Sequence, residues 1–282
     1  MAYRGIGTQD DPYIVDNWTD FKALCSSDEH YIAFDPDAEN KVIDLNETED
    51  RGGLQSNLLF HAKVNGNGWR IRNLVTNGYF LGMADGWNYA AITAENLHFE
   101  NLIVQGGKLF YGNCHFVGCS FSGYLFNDAK LFSVLNVSGG YVEACTFNLH
   151  VNRSMESIFS CSMMLHCNIR LTGKLSGSIS EGNEYVWMRN CSVTGSVELN
   201  GGILELGTSP YDENIMIALQ CRGTGSIRTI NSAASACIID RDLIDDPILT
   251  DISTDNWYTL STEQMQNADY LIQTVGFPCV QI

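Results

Sequence analysis

The fold is decided by two stretches of similar pattern: residues 95–106 are ENLHFENLIVQG, and residues 112–123 are GNCHFVGCSFSG. An offset of about 17 residues aligns them. The aligned pairs are Leu97 with Cys114, Phe99 with Phe116, Leu102 with Cys119, and Val104 with Phe121. Each stretch consists of two short segments in which apolar and polar residues alternate. This alternation is the period of a strand with one buried face.

Weaker copies of the pattern return roughly every 22–26 residues, with shorter intervals locally. They begin near Asn73, Leu135, Cys145, Cys167 and Cys191. A repeat of this length indicates a solenoid, propeller or array. A propeller blade requires four strands in about 40 residues, and a leucine-rich repeat carries a longer fixed consensus and a helix. The interval therefore predicts an all-β, single-stranded, right-handed parallel β-helix.

In such a fold, like residues lie above one another in successive coils, about 4.8 Å apart. The recurrent phenylalanines and cysteines are then predicted to form inward ladders, and the recurrent asparagines to lie at bends. The cysteines assigned to the ladder are Cys114, Cys119, Cys145, Cys167 and Cys191. Small buried thiols of this kind act as hydrophobic residues.

Three segments are predicted. Residues 1–60 form an N-terminal cap with a short helix over residues 16–25, begun by Asn17 or Thr19, and strands at residues 31–34 and 42–45. Residues 61–240 form the coils. Residues 241–282 form a C-terminal cap, in which Ser261 or Thr262 begins a helix.

The formal charge of −17 disfavours nucleic acid as a partner, because phosphate binding requires clustered Lys and Arg. It also disfavours an anionic membrane surface, and no apolar run approaches the length of a membrane span. The first residues, MAYRGIGT, lack the apolar region of a secretion signal. The sequence thus predicts synthesis in a cytoplasm, where the 10 cysteines stay reduced.

Several segments resemble a known group of proteins. They are GTQDDPYIV at residues 7–15 with WTDF at 18–21, YIAF at 31–34 with IDLN at 43–46, NGNGWRIRNL at 65–74, and TEQM at 262–265 with GFP at 276–278. Together they resemble the entry, first-coil and closing segments of right-handed parallel β-helix proteins. That group includes virion proteins of tailed bacteriophages (tail spikes, fibres and decoration proteins) and bacterial adhesins.

The resemblance implies a structural, non-enzymatic virion protein, made in the host cytoplasm and localised to the particle. Its expected partners are other virion proteins and, as an option, a host surface glycan; virion β-helices often form homotrimers, which this sequence does not decide. Two alternatives stay open, a polysaccharide depolymerase and a glycan-binding adhesin module. The short chain, without long groove-building insertions, favours the structural interpretation.

A depolymerase would need two carboxylates facing a groove. The candidates are Glu198, Glu205, Asp212 and Glu213, of which Glu198 and Glu205 lie on one strand-like stretch. No spacing among them is diagnostic, and solvated surface charge explains them better than a catalytic pair does. The acid and the nucleophile are therefore left unassigned.

No cofactor or metal site is predicted. The cysteine spacings lack the repeated short pairs of structural zinc. His98 and His115 occupy equivalent positions in the alignment above and are expected to point outward, where surface residence explains them better than metal binding.

The segment YFLGMADGWNY at residues 79–89 departs from the coil pattern. A loop or lateral strand there would expose Tyr79, Trp87 and Tyr89, which could stack on sugar rings or pack against a protein. Burial against the cap or a neighbouring coil is the alternative.

Overall fold

The computed structural model describes residues 3–25, 30–47, 62–76, 92–106, 108–111, 114–126, 130–133, 141–153, 159–160, 163–175, 187–207, 214–230, 236–245, 257–271 and 273. Within these ranges the chain is mostly strand, and the strands pair in parallel to form a β-solenoid. The predicted all-β parallel β-helix is confirmed.

The described strands are, in chain order, β1 (Tyr13–Val15), β2 (His30–Phe34), β3 (Val42–Asp44), β4 (Ala62–Arg72), β5 (Val75–Thr76), β6 (Ile92–Val104), β7 (Lys108–Tyr111), β8 (Cys114–Val117), β9 (Ser120–Phe126), β10 (Lys130–Ser133), β11 (Tyr141–Glu143), β12 (Thr146–Arg153), β13 (Phe159–Ser160), β14 (Met163–Leu165), β15 (Asn168–Leu175), β16 (Trp187–Arg189), β17 (Cys191–Gly207), β18 (Asn214–Ile230), β19 (Ala236–Asp240) and β20 (Trp257–Leu260). The described helices are α1 (Trp18–Cys25), α2 (Thr262–Met265) and α3 (Ala268–Tyr270), with 3₁₀ turns at Leu45–Glu47 and Arg241–Leu243.

The coils have three walls. The first wall stacks β2, the start of β4, the start of β6, β8, β11, β14 and β16. The second wall stacks β3, the rest of β4 and β6, β9, β12, β15, β17, β18, β19 and β20. The third wall is a separate parallel sheet of β7, β10 and β13.

Each wall sends one row of side chains into a shared core. On the second wall, Phe99, Phe121 and Phe147 lie directly above one another, with centroids 5.3 and 5.2 Å apart and rings within 8° of parallel. Phe110 of the third wall and Phe116 of the first wall pack edge-on against Phe121. The predicted phenylalanine ladder is therefore confirmed, and all three walls contribute to the core.

A column of thiols runs beside the phenylalanines. Register places Cys119, Cys145, Cys167 and Cys191 in successive coils, and all four are buried. Backbone pairing continues this column from Cys191 to Ile215, Cys237 and Trp257. The predicted cysteine ladder is confirmed for these four residues.

A single left-handed residue joins the first wall to the second in each coil. At this position φ is 62° at Gly118, 52° at Ala144, 52° at His166 and 50° at Asn190, and the next residue is always a ladder cysteine. Asn73, Asn96 and Asn101 also have positive φ, as expected for asparagine, which tolerates this region best after glycine. The prediction that recurrent asparagines lie at bends is confirmed for these positions.

The alignment at 17 residues was wrong. Phe99 pairs with Phe121, 22 residues later, whereas Phe116 lies on the first wall and pairs with Ala94. Cys114 pairs with Ile92 and so lies outside the thiol column. The offset matches Leu97 and Phe99, on the second wall of one coil, with Cys114 and Phe116, on the first wall of the next. Both walls alternate in the same way, so the pattern alone does not distinguish them.

The same correction separates the two histidines. His98 pairs in register with Ser120 on the second wall, and its Nδ1 lies 2.9 Å from Ser120 Oγ. His115 lies on the first wall beside Tyr141, with ring centroids 5.9 Å apart. The two side chains are half-buried and do not occupy equivalent positions, which removes the geometric basis for a shared metal site.

The N-terminal segment packs α1 against the first coil. Asn17 Oδ1 accepts from Asp20 N at 2.9 Å, which confirms Asn17 as the residue that begins the helix. Phe21 of α1 contacts Phe34, and Phe34 contacts Trp69, with centroids 5.0 and 5.3 Å apart. Trp69 Nε1 also donates to the Asp35 carbonyl at 2.8 Å, so the indole joins the helix layer to the solenoid.

At the other end, α2 is begun by Ser261, whose hydroxyl accepts from Gln264 N while the Gln264 side chain accepts from Ser261 N. This confirms one of the two predicted positions. Thr262 Oγ1 donates to the buried carboxylate of Asp240 at 2.8 Å, which ties the helix to β19. In the part of the chain that the structure describes, no helix has the length and apolar character needed to cross a membrane.

Candidate binding groove

The outer face of the second wall carries two rows of outward side chains, produced by strand alternation around the inward column at Leu125, Val151, Val197 and Cys221. The first row runs through Tyr124, His150, Thr172, Ser196 and Gln220. The second row runs through Phe126, Asn152, Lys174, Glu198 and Arg222.

These rows border a groove of about 630 Å³, here called the outer groove. It is lined by His150, Val151, Asn152, Gly173, Lys174, Ser196, Val197, Glu198, Arg222 and Gly223. Its volume lies within the range of small-molecule sites, about 300–1,000 Å³. The groove follows the solenoid axis across successive coils, because its lining residues come from four neighbouring strands.

Glycine shapes the floor of the groove. Gly173 has φ +105°, and a Cβ there would lie 2.1 Å from the Val151 carbonyl oxygen of the preceding coil. Gly223 has φ +96° and would meet the Leu199 carbonyl oxygen at 2.5 Å. Only glycine fits these positions, because the space that a Cβ would take is filled by backbone of the preceding coil.

Glu198 is the one predicted carboxylate whose side chain the structure describes. Its Oε2 lies 3.0 Å from Lys174 Nζ of the preceding coil. The hydrogen bond and the charge of Lys174 lower the pKa of Glu198 below its ordinary value. Glu198 is thus an ionised, paired carboxylate, unsuited to the role of a general acid, which requires a raised pKa.

Arg222 is held by Gln220 on the same strand. The Gln220 amide is oriented with its oxygen accepting from Arg222 Nη2 at 2.7 Å and Nε at 3.2 Å, while its nitrogen donates to Ser196 Oγ at 3.0 Å. The Gly223 N–H donates to Asp245 Oδ2 at 3.0 Å. These contacts fix a guanidinium beside the groove and place a further carboxylate near it.

An aromatic pair lies one coil before the groove. The rings of Tyr124 and Phe126 are within 10° of parallel, with centroids 6.2 Å apart. Tyr124 also contacts His150, whose centroid lies 5.3 Å away. Tyr124 is 44% exposed, one of two large apolar or aromatic side chains among the described residues with such exposure, the other being Ile6.

A second, smaller cavity of about 450 Å³ lies at the N-terminal end of the first wall. Its wall includes Tyr31, Lys63 and Glu95. Lys63 Nζ donates to Tyr31 Oη at 2.9 Å and lies 4.7 Å from the centre of the Tyr31 ring. The Lys63 ammonium is therefore bonded within the protein, as the Lys174 ammonium of the outer groove is.

The structure does not place the other predicted site residues in the groove. Glu205 lies on β17, as the strand-like pattern indicated, and pairs in register with Arg228, but a register shift between Asn200 and Gly202 separates it from Glu198. The side chain of Glu205 is outside the described part of the structure, as are Asp212 and Glu213. Tyr79, Trp87 and Tyr89 also lie outside the described residues.

Tyr124 and Phe126 were missed at the sequence level although a signal was present. The repeated stretch ends at Gly123, but alternation continues through Leu125, which is buried and leaves both rings outward. The described residues contain no group of three His, Cys, Asp or Glu side chains placed to hold a metal ion.

Comparisons with protein-family models, with curated proteins and with solved structures found no match.

Proposed function

We propose that the chain is a structural, non-enzymatic module of a tailed-bacteriophage particle, a spike, fibre or decoration component that docks on other virion proteins or on the host surface. In this proposal it is made in the host cytoplasm and incorporated during assembly. One observation carries the proposal: the in-register column from Cys119 to Cys191, which gives the coils one uninterrupted core. A continuous core supports a stiff module that presents lateral surfaces at fixed spacing.

The state of Glu198 supports the non-enzymatic half of the proposal. Glycosidases of the two-carboxylate type keep one carboxyl protonated by raising its pKa. Glu198 is instead paired with Lys174, and its pKa is lowered. An ionised carboxylate neutralised by a neighbouring ammonium fits a binding or structural surface better than the general acid of a hydrolytic site.

The virion assignment is tested by localisation. Antibodies raised against the purified chain are applied to intact tailed particles from the source culture, and binding is followed by immunogold electron microscopy. We expect label at one defined position on the particle, and peptides of the chain in purified particles by mass spectrometry. Particles that contain neither label nor peptides would overturn the assignment.

The proposal that the chain is not an enzyme has a separate test. The chain is incubated with the surface polysaccharide of the host, and viscosity is followed over time. We expect no change. A fall in viscosity that is lost in Glu198→Gln would establish a depolymerase and overturn this half.

A further inference from the structure

The outer side of the first wall carries more apolar side chains than the outer side of the second wall. Strand alternation around the buried Phe116, Val142 and Met164 turns two rows of side chains outward on β8, β11, β14 and β16. The half-buried members of these rows are His115, Val117, Tyr141, Glu143, Met163 and Leu165. On β12 and β15 of the second wall, the exposed side chains are all polar: Thr146, Asn148, His150, Asn152, Asn168, Arg170 and Lys174.

One of the two rows presents a negative, an apolar and a positive side chain at equal steps along the axis. Register places Glu143, Leu165 and Arg189 side by side in successive coils. Glu143 and Arg189 are thus two coil intervals apart, roughly 10 Å at about 4.8 Å each. Among the described residues, neither has an ion-pair partner within the chain. The Tyr141 hydroxyl donates to Glu143 Oε2 at 2.6 Å, which holds the carboxylate on the outer side of the wall.

This order of side chains is complementary to its own reverse. When a second copy packs its first wall against this one about a two-fold axis along β14, the two solenoid axes run antiparallel. Leu165 then faces Leu165 of the other copy, and Met163 in the neighbouring row faces its own counterpart. Each Glu143 faces an Arg189 of the other copy, so two ion pairs flank an apolar centre. Isologous two-fold contacts are the commonest in homo-oligomers, and an apolar core with a polar rim is their usual composition.

Two other arrangements of the same surfaces bring like charges together. With parallel solenoid axes, Glu143 would face Glu143 and Arg189 would face Arg189. An antiparallel arrangement centred on Glu143 would pair Arg189 with Glu95, which lies two coils before Glu143 in the same row. It would also place two Glu143 carboxylates against each other at the axis. Charge complementarity therefore selects the antiparallel arrangement with Leu165 at the two-fold axis.

We propose that two copies of the chain associate antiparallel through the outer side of the first wall, with Leu165 at the two-fold axis and two Glu143–Arg189 ion pairs between the copies. The contact covers few coils and its ion pairs lie at the rim, so the association is weak and depends on protein concentration and salt. This inference goes beyond the proposed virion function, since it assigns a self-association surface. It also differs from the threefold association of the group that the sequence resembles.

Analytical ultracentrifugation of the full chain, over about 5–500 µM protein and at low and high salt, tests the proposal. We expect a monomer–dimer equilibrium whose dissociation constant rises with ionic strength. Glu143→Arg and Arg189→Glu should each raise that constant at least about tenfold, because each replaces two attractive contacts with two repulsive ones. The double variant with both reversals should restore the dimer, and so should an equimolar mixture of the two single variants.

Two matched controls make the same charge changes outside the contact. Glu95→Arg lies further along the same row, and Arg170→Glu lies on the second wall of the coil that contains Leu165. Both should leave the dissociation constant unchanged. Far-UV circular dichroism checks that each variant is folded. Where a reversal prevents folding, Glu143→Gln or Arg189→Gln takes its place, and it should weaken the dimer and reduce its salt dependence.

Four results would overturn the inference: a monomer at every concentration, a trimer, a loss in either control equal to that in the reversals, or a folded double variant that stays monomeric. The particle-labelling result is independent of these measurements. A chain that labels particles and remains monomeric refutes only the self-association surface, and a dimer that labels no particle refutes only the virion assignment.

Discussion

The backbone N–H of Cys119 donates to Sγ of Cys145, one coil further along the solenoid, at 3.4 Å. The thiols of the column also act as donors, and each donates to a first-wall carbonyl of the preceding coil. The pairs are Cys119 with Ala94, Cys145 with Phe116, Cys167 with Val142, and Cys191 with Met164, at 3.3–3.5 Å. The thiols thus fill volume and satisfy backbone oxygens at the corner between two walls.

Thiol reactivity should be low in the native protein. The side chains of six of the ten cysteines lie in the described part of the structure, and all six are buried. Burial raises the pKa of Cys221 to about 12, and that of Cys25 well above its ordinary value, so the thiolate fraction at pH 8 is small. We expect a charged thiol reagent to label at most four cysteines in the native state and ten in denaturant. Rapid native labelling of Cys145 or Cys167, located by peptide mapping, would contradict the ladder.

The phenylalanine stack should dominate local stability. Phe121 is fully buried between Phe99 and Phe147, so Phe121→Ala should cost about 3–5 kcal/mol in the free energy of unfolding. The matched control is Phe126→Ala on the outer side of the same strand, expected to stay within about 0.5 kcal/mol. Urea unfolding followed by circular dichroism measures both. Similar losses in the two variants would mean that β9 faces the core differently.

Two glycines with positive φ, Gly195 within β17 and Gly118 at the corner between β8 and β9, should differ in their tolerance of a side chain. At Gly195, φ is +114° and a Cβ would lie 1.9 Å from the Leu171 carbonyl oxygen, so Gly195→Ala should cost more than about 2 kcal/mol. At Gly118, φ is +62° and a Cβ would meet nothing within 4 Å. Asn190 already occupies the same corner, so Gly118→Asn should change stability by less than about 0.5 kcal/mol. Thermal unfolding of both variants checks this contrast.

Tyr141 should make stability depend on alkaline pH. Its hydroxyl donates to Glu143 Oε2 at 2.6 Å, and this bond, with desolvation and the negative charge of Glu143, raises its pKa from 10.0 to about 12. A pKa raised on folding gives a contribution that is complete below pH 10 and is lost as pH rises towards about 12. We expect Tyr141→Phe to remove that dependence in urea unfolding at several pH values.

Titration of Tyr141 provides a control for its hydrogen bond to Glu143. Glu143→Gln should lower the pKa of Tyr141 towards its ordinary value, seen as the difference in phenolate absorbance from the same protein with Tyr141→Phe. An unchanged pKa would show that Glu143 is not the partner.

The core was predictable from the sequence because strand alternation and the recurrence of Cys, Phe and Asn are local properties. The register between neighbouring coils was harder to predict than the core. The spacing between equivalent second-wall residues varies from 28, between Ile71 and Phe99, to 20, between Ile239 and Thr259. A variable coil length lets a 17-residue match between different walls look as convincing as the true 22-residue match between Phe99 and Phe121.

The outer groove was only partly predictable. Glu198 was a candidate, but its ion pair with Lys174 joins residues 24 positions apart, which only the register reveals. Tyr124 and Phe126 could have been found by extending the alternation past Gly123, since glycine in a strand need not end it.

The parallel pairing of coil upon coil has a mechanical consequence. Hydrogen bonds between neighbouring coils point along the long axis, so a tensile force applied end to end would load every interface in series. The interface with the shortest strands would then open first and set the rupture force. A sideways load would instead be shared by many backbone bonds at once, so the rod should resist bending and shear better than it resists being pulled apart.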